Sequence, residues 1–407
     1  MCISISYLNI GPMNEDFSLH ASVIQRENYI SDDDWNKLQE YISDKSTPLL
    51  VLFKKRAEEN YLLLESLLKK TKIYYAVKAC PNEEILQTFI NLGSCFDIAS
   101  RYELDLVLSL WASCNNISYG NTIKKELDIA YAYEKWVRMF ATDSFDDLEK
   151  IARVAPGSKV YFRLLTPAFG ADWPLSRKFG CEIPLAYKLA IHARDIGLIP
   201  HGISFHVGSQ QNDMYSWDVA LSKAKELYDK LEESGIHLKM LNLWGGLPSH
   251  YLKKTDTLEI YIKTIQEFVD YHFEDTQLEI FMEPGRSMVG DIGVIVSDVV
   301  LVSKKSLSDD DTRWVFLDIG KFWGLIETLD EAIKYPIYTE IKWRKSPAIL
   351  AGPTCDSADI LYENYKYLLP DKLKSGDKIY IFSTWAYTQS YSAVEFNGFP
   401  PLKAHVI

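Results

Sequence analysis

From about residue 47 to residue 290 the chain alternates short apolar runs with longer amphipathic segments. The runs are "LLVLF" (49–53), "IYYAV" (73–77), "CFDIA" (95–99), "ISYG" (117–120), "RMFATD" (138–143), "KVYFRLL" (159–165), "GISFHVG" (202–208), "LNLWGG" (241–246) and "LEIFMEPG" (278–285). Near-continuous apolar runs of this length read as strands covered on both faces, as in a parallel sheet. Between them, "EEILQTFINLG", "SFDDLEKIARVAPG" and "SWDVALSKAKELYDKLEESG" carry apolar residues at helical spacing, with Ser or Asp caps and closing glycines. Eight or more such β/α units predict a closed barrel rather than an open sheet.

After residue 290 the pattern changes. "VIVSDVVLVSKK", "TRWVFLDIG", "SPAILAG" and "DKIYIFS" predict strands joined by turn-rich segments. The fold class is therefore α/β. Residues 46–285 form a parallel β/α (TIM-like) barrel and 286–407 a β-rich domain, and 1–45, with short β-like runs, join the latter. No repeat or low-complexity tract interrupts this plan.

Composition narrows the class of protein. A length of 407 residues suits two domains, and 47% apolar with 25% charged residues is ordinary for a globular chain. A net charge of −12 argues against nucleic acid as a partner. The six cysteines include no CxxC pair, so no zinc knuckle or other metal site is indicated. The apolar runs are too short to span a membrane, and "MCISISYLNIGPMNEDF" shows no basic leader. A cytoplasmic location with reduced thiols is the expectation.

The chemistry gathers at the strand ends. Lys78 closes "YYAVK", Asp97 lies in "CFDIA", and Arg163 ends "KVYFR". His206, Gly208 and Ser209 follow the next strand, Gly245 and Gly246 another, and Glu283, Gly285 and Arg286 the last. This is the rim where barrel enzymes work. Each residue alone has an ordinary explanation: a lysine reaching solvent, a glycine turn, a core histidine, a loop-capping glutamate. Together they fit one job. A lysine amine condenses with an aldehyde. Glycines with Ser209 and Arg286 accommodate a phosphate. A carboxylate such as Glu283 keeps a pyridine nitrogen protonated, and an imidazole such as His206 lies flat on a ring. The set describes a pyridoxal 5'-phosphate site.

At these residues the chain resembles the alanine-racemase-fold decarboxylases acting on ornithine, lysine, arginine and diaminopimelate. The likeness is carried by "YYAVKACPNEEILQTFINLGSCFDIASRYELDLVL", "GISFHVGS", "MEPGR", "GPTCDSADIL" and "WAYTQSYSAVEFNGFPPL", in that order, from roughly residue 25 onward. "GPTCD" and "FNGF" resemble the ornithine/lysine branch. The resemblance implies a Schiff base at Lys78, His206 over the ring and Glu283 on the ring nitrogen. It implies Ser209, Gly245, Gly246, Gly285, Arg286 and Tyr387 around the phosphate, with Arg163 and Asp97 holding the ring and the lysine. It also implies a head-to-tail homodimer in which Cys355, a proton donor, and Asp356 enter the partner's site. Asp356 is the first candidate for holding a distal substrate amine; Glu327, Asp330 and Glu331 are the second, because Thr328 falls near the family's usual acidic position. Phe396 of "FNGF" is a further substrate contact.

Two tryptophans depart from the family pattern. Trp244 stands where relatives usually have the first of three glycines, and Trp385 where they usually read "GAYT". Trp385, two residues from Tyr387, is expected to line the pocket and to steer the substrate away from plain ornithine. Trp244 either does the same or fills space behind the phosphate loop. A racemase of this fold, or a regulatory cofactor-binding relative, is the alternative to a decarboxylase. Against the latter, Lys78, Glu283 and Arg286 all stand.

Overall fold

The computed structural model describes residues 24–173, 178–308, 312–393 and 396–407. Strand β1 (Leu49–Leu52) comes first. Eight parallel strands then close a barrel: β2 (Thr71–Ala76), β3 (Cys95–Ile98), β4 (Ile117–Tyr119), β5 (Met139–Thr142), β6 (Lys159–Leu164), β8 (Ile199–Phe205), β10 (Met240–Asn242) and β11 (Glu279–Met282). Two short strands, β7 (Ala171–Trp173) and β9 (Ser209–Gln211), pair antiparallel at its rim. Eight of the nine apolar runs are thus barrel strands. The exception is the first. "LLVLF" pairs antiparallel with β12 (Gly293–Ser303), placing it in the second domain's sheet rather than in the barrel. Its burial on both faces is equal in either setting, so an apolar run alone does not distinguish them.

The second sheet runs β14 (Ile337–Tyr338), β17 (Lys378–Phe382), β12, β13 (Arg313–Leu317), β15 (Lys345–Ala351), β16 (Ile360–Pro370), with β18 (Ala404–Val406) beside β1. The described part of the N-terminal segment contributes a helix to it rather than strands. Helix α1 (Asp32–Ile42) is capped by Ser31, whose hydroxyl accepts the Asp34 N–H. Its Trp35, Leu38 and Ile42 pack with Leu49, Val51, Val294 and Tyr380. The β-like runs of residues 1–23 lie outside the described residues. Among the described residues no helix is long and apolar enough to cross a membrane.

The barrel helices follow their caps. Asn82 accepts the N–H groups of Glu84 and Ile85 at the start of α2 (Glu83–Asn91), and Ser144 accepts that of Asp147 at the start of the helix Phe145–Val154. The barrel interior is plugged by Tyr74, Met139, Tyr161, Met240 and Phe281. Tyr74 and Phe281 stack at 4.6 Å. This dry layer leaves the strand C-termini free to carry polar groups above it.

Candidate active site

A cavity of about 440 Å³ opens at the C-terminal rim, lined by Lys78, Arg163, His206, Ser209, Arg286 and Tyr387 among others. Lys78 sits in the single turn Val77–Ala79 that follows β2. Its Nζ is 3.2 Å from Asp97 Oδ2 of β3, and its side chain keeps 36% of its surface exposed. Burial pulls the ammonium down, but Asp97 and the Tyr387 and Glu283 groups outweigh it and leave the pKa raised. Asp97 is buried, and burial raises its pKa in turn. Gly120 makes room for it, since a Cβ there would stand 2.1 Å from Asp97 Oδ1.

His206 is held flat by its neighbour: the Gly208 N–H donates to His206 Nδ1 at 2.8 Å. Nε2 then carries the ring's hydrogen. Burial, with Arg163 and Lys78 adding to it, drives the imidazole pKa well down, so the ring is neutral. Glu283 follows β11 and is buried close to Asp97, Lys78 and Arg163. Its Oε1 accepts from Asn242 Nδ2, while Oε2 is buried with no hydrogen-bond partner. Burial and the Asp97 charge push this carboxyl up to about 8.

The residues expected around a phosphate lie near one another. Arg286 Nε donates to Ser209 Oγ at 3.0 Å and Nη1 to the Tyr251 hydroxyl at 2.7 Å. Gly246 has φ +101°, and a Cβ there would stand 2.7 Å from the Gly208 carbonyl oxygen. A Cβ on Gly285 would meet Ala79 at 2.9 Å, and one on Gly245 the Glu283 carbonyl oxygen at 2.7 Å. Tyr387, at φ +64°, is anchored by its N–H to the Ala79 carbonyl at 3.0 Å.

Not every expected residue arrives here. Trp385 is 1% exposed and packs in the core; it does not line the cavity. A Cβ on Gly293 would stand 3.1 Å from the Trp385 Cβ, so the two residues pack closely. Trp244 is the pocket residue instead, its ring 5.6 Å from His206. Glu327 lines the cavity, but Arg286 takes both of its carboxylate oxygens. A substrate amine would have to share this carboxylate with Arg286. Glu331 accepts the N–H groups of Glu363, Asn364 and Tyr365, a backbone-capping role. Asp330 is exposed. Thr328 is buried and donates to the Leu325 carbonyl. Cys355 and Asp356 are exposed and absent from this cavity's lining. Cys355 is gripped by Asn397, which accepts its N–H and donates to its Sγ, both at 3.2 Å. The Phe396 side chain lies outside the described residues. The sequence reading missed Asn242, which a lone polar residue within "LNLW" signals, and Phe179 and Tyr391, which nothing in the sequence marks.

The comparisons with known proteins point the same way. Residues 54–290 match the family described as pyridoxal-dependent decarboxylase, pyridoxal binding domain. The chain belongs to the pyridoxal-dependent decarboxylases. A lysine/ornithine decarboxylase of Selenomonas ruminantium is 33% identical over 87% of this chain and 88% of its own. Antizyme inhibitor 2 of Xenopus laevis is 30% identical over 83% of this chain and 76% of its own. The crystal structure of SrLDC in complex with PLP and cadaverine has a TM-score of 0.82 and 30% identity, covering 93% of this chain and 94% of that one.

The residues fit the cofactor by their own chemistry. Glu283 Oε2, buried without a hydrogen-bond partner on a carboxyl that holds its proton, would share that proton with a ring nitrogen. Lys78 would be the amine for the aldehyde, and Ser209, Gly246, Gly285, Arg286 and Tyr387 would hold the phosphate. Pyridoxal 5'-phosphate is the cofactor of this family, and the protein is a pyridoxal-dependent decarboxylase, a carboxy-lyase.

Proposed function

We propose that the protein removes the α-carboxylate of a basic amino acid of the ornithine/lysine class, in a homodimer whose two active sites are shared. The observation that carries the reaction is the grouping of Lys78, which lines the cavity and is held by Asp97, with the buried Glu283 close enough to feel both charges and with no partner on its Oε2. When bound, pyridoxal phosphate supplies a protonated pyridine ring that accepts the electron pair left as CO₂ departs.

The chain's own residues set the conditions. Glu283 holds a proton at the ring nitrogen, and its burial makes that proton hard to lose. His206 is kept neutral by burial and oriented by the Gly208 N–H, so it would cover a ring face without adding charge. Lys78 keeps its amine against Asp97, ready to exchange with the substrate amine. Support for shared sites comes from the second domain. Cys355 and Asp356 are exposed beside Asn397 and do not line their own chain's cavity. In the dimer, Cys355 of the partner subunit protonates Cα and Asp356 of the partner subunit holds the distal ammonium. The five described cysteines are all free, which suits a reducing cytoplasm.

The relative named antizyme inhibitor 2 raises a regulatory reading, yet Lys78 and Arg286 line one cavity here, with Asp97 on the Lys78 amine and Glu283 close enough to act on it. The test is CO₂ release across lysine, ornithine, arginine, diaminopimelate and neutral amino acids, beside the visible absorption of the protein. A yellow protein, bleached by borohydride, that releases CO₂ from lysine or ornithine supports the reading. A yellow protein inactive on the whole panel sinks the decarboxylase reading while keeping the cofactor.

A further inference from the structure

Trp244 occupies a position in the left-handed region, φ +55°, where the sequence resemblance calls for glycine. An L residue there carries strain that glycine avoids. Its backbone is fixed on both sides: the Trp244 N–H donates to Asn242 Oδ1 at 2.8 Å, and its carbonyl accepts the Glu283 N–H at 2.9 Å. The indole is thereby aimed into the cavity. There it meets Arg163, whose guanidinium carbon lies 4.1 Å from the Trp244 ring centroid and 4.6 Å from that of Phe179.

Arg163 is 5% exposed. Among the described residues no hydrogen bond or ion pair holds its guanidinium; its contacts are the two rings. Burial pulls its pKa down to about 10 against the pull of Asp143, Glu283, Tyr161 and Asp97. A guanidinium stacked on aromatic faces keeps its N–H donors free in its own plane.

We propose that Trp244, together with Phe179, is a positioning residue that clamps Arg163 so that its free N–H groups face the bound cofactor's ring. The proposal rests on the pyridoxal phosphate assignment above. In this chain two rings do for Arg163 what a carboxylate does for Arg286. The clamp accounts for a strained tryptophan where glycine would be easier, because the lost backbone ease is offset by a fixed cation.

The test is the pH titration of the visible absorption band in protein loaded with pyridoxal 5'-phosphate. A cation held against the ring would favour the form with one proton fewer, so a loosened Arg163 raises the midpoint. The other charges near it, Asp143, Glu283, Asp97 and Lys78, are unchanged in every variant. Trp244→Gly should raise the midpoint by about half a pH unit, the worth of one modest cation–π contact. Trp244→Phe should restore most of it. Phe179→Leu, which leaves the strained loop untouched, should shift it in the same direction. A Trp244→Gly protein that titrates with the wild type, whatever its melting temperature, overturns the clamp. So does a Trp244→Phe protein that behaves as the glycine variant. A wild type that takes up no pyridoxal phosphate overturns the cofactor assignment itself, and the clamp with it.

Discussion

Glu327 grips Arg286 through both carboxylate oxygens, Oε1 to Nη2 at 2.5 Å and Oε2 to Nη1 at 2.8 Å, and both side chains are buried. With Nε on Ser209 and Nη1 also on Tyr251, most of the guanidinium's donors are taken by the protein. Burial alone lowers the Arg286 pKa, and Glu327 more than reverses it. The pair is thus a rigid, nearly neutral brace for the phosphate wall. Removing one member of a buried pair typically costs ~3–5 kcal/mol. Glu327→Ala should therefore lower thermal stability markedly, and Glu327→Gln should weaken cofactor retention. Neither should change KM for lysine more than for norleucine. A selective rise for lysine would show that Glu327 touches the distal amine after all.

Glu283 predicts a pH dependence of its own. Its folded pKa, pushed up to about 8, lies above its ordinary value of 4.5. A carboxyl that binds its proton more tightly when folded adds stability that is fully present below 4.5 and is lost as pH rises through about 8. Asp97 is raised as well and adds to the same slope. In cofactor-free protein, thermal stability should fall between pH 5 and pH 8 more steeply for the wild type than for Glu283→Gln. Melting curves across that range decide it, and parallel slopes would count against a protonated Glu283.

Much of this was legible because burial and chemistry leave marks in the sequence. Lys78, His206, Glu283 and Arg286 are polar residues at the ends of apolar runs, and such a residue at a barrel rim has few structural reasons to exist. What stayed hidden depends on direction. Whether "LLVLF" joins the barrel or the second sheet is decided by β12, some 240 residues away. Whether Trp244 or Trp385 faces the cavity depends on backbone angles that neither residue's neighbours announce. The engagement of Glu327 by Arg286 spans 41 residues and leaves no local trace.

Trp385 is the clearest case for revision by experiment. It is fully enclosed, and truncating a buried tryptophan typically costs ~3–5 kcal/mol. Trp385→Gly should lower the melting temperature sharply and leave the ranking of substrates by kcat/KM unchanged. A changed ranking with unchanged stability would return Trp385 to the pocket.

Two exposed tryptophans invite the opposite change. The barrel helices hand over to the next strand through left-handed residues: Gly93 at φ +86°, Gly157 at +71°, Gly197 at +82° and Gly235 at +71°. After the helices Arg101–Ser109 and Glu126–Glu134 the corresponding residues are Trp111 at φ +68° and Trp136 at φ +67°. Trp111 is 90% exposed, so its ring offsets little of the strain. The left-handed region costs an L residue roughly 1–2 kcal/mol, and glycine returns about half of that to the unfolded chain. Trp111→Gly should raise stability by about 0.5–1 kcal/mol, read from denaturant unfolding. A loss of stability would mean that the indole packs against something it does not touch in a single chain.

The proposed shared site yields a sharper test. Lys78 and Cys355 reside in different domains, and Cys355 points to solvent beside Asn397 rather than into its own chain's cavity. Closed twofold symmetry gives each dimer two equivalent sites. If each site draws Lys78 from one chain and Cys355 from the other, a hybrid of Lys78→Ala and Cys355→Ala chains holds one site with both residues intact and one with neither. Each variant alone has every site damaged. Mixing the two inactive variants under conditions of subunit exchange should therefore restore activity, rising to a plateau near equal proportions. The same mixture made with a doubly substituted chain in place of either variant should recover nothing. If exchange is demonstrated by mass and activity stays flat, both residues serve a site within one chain, and the loop carrying Cys355 must then move to reach it.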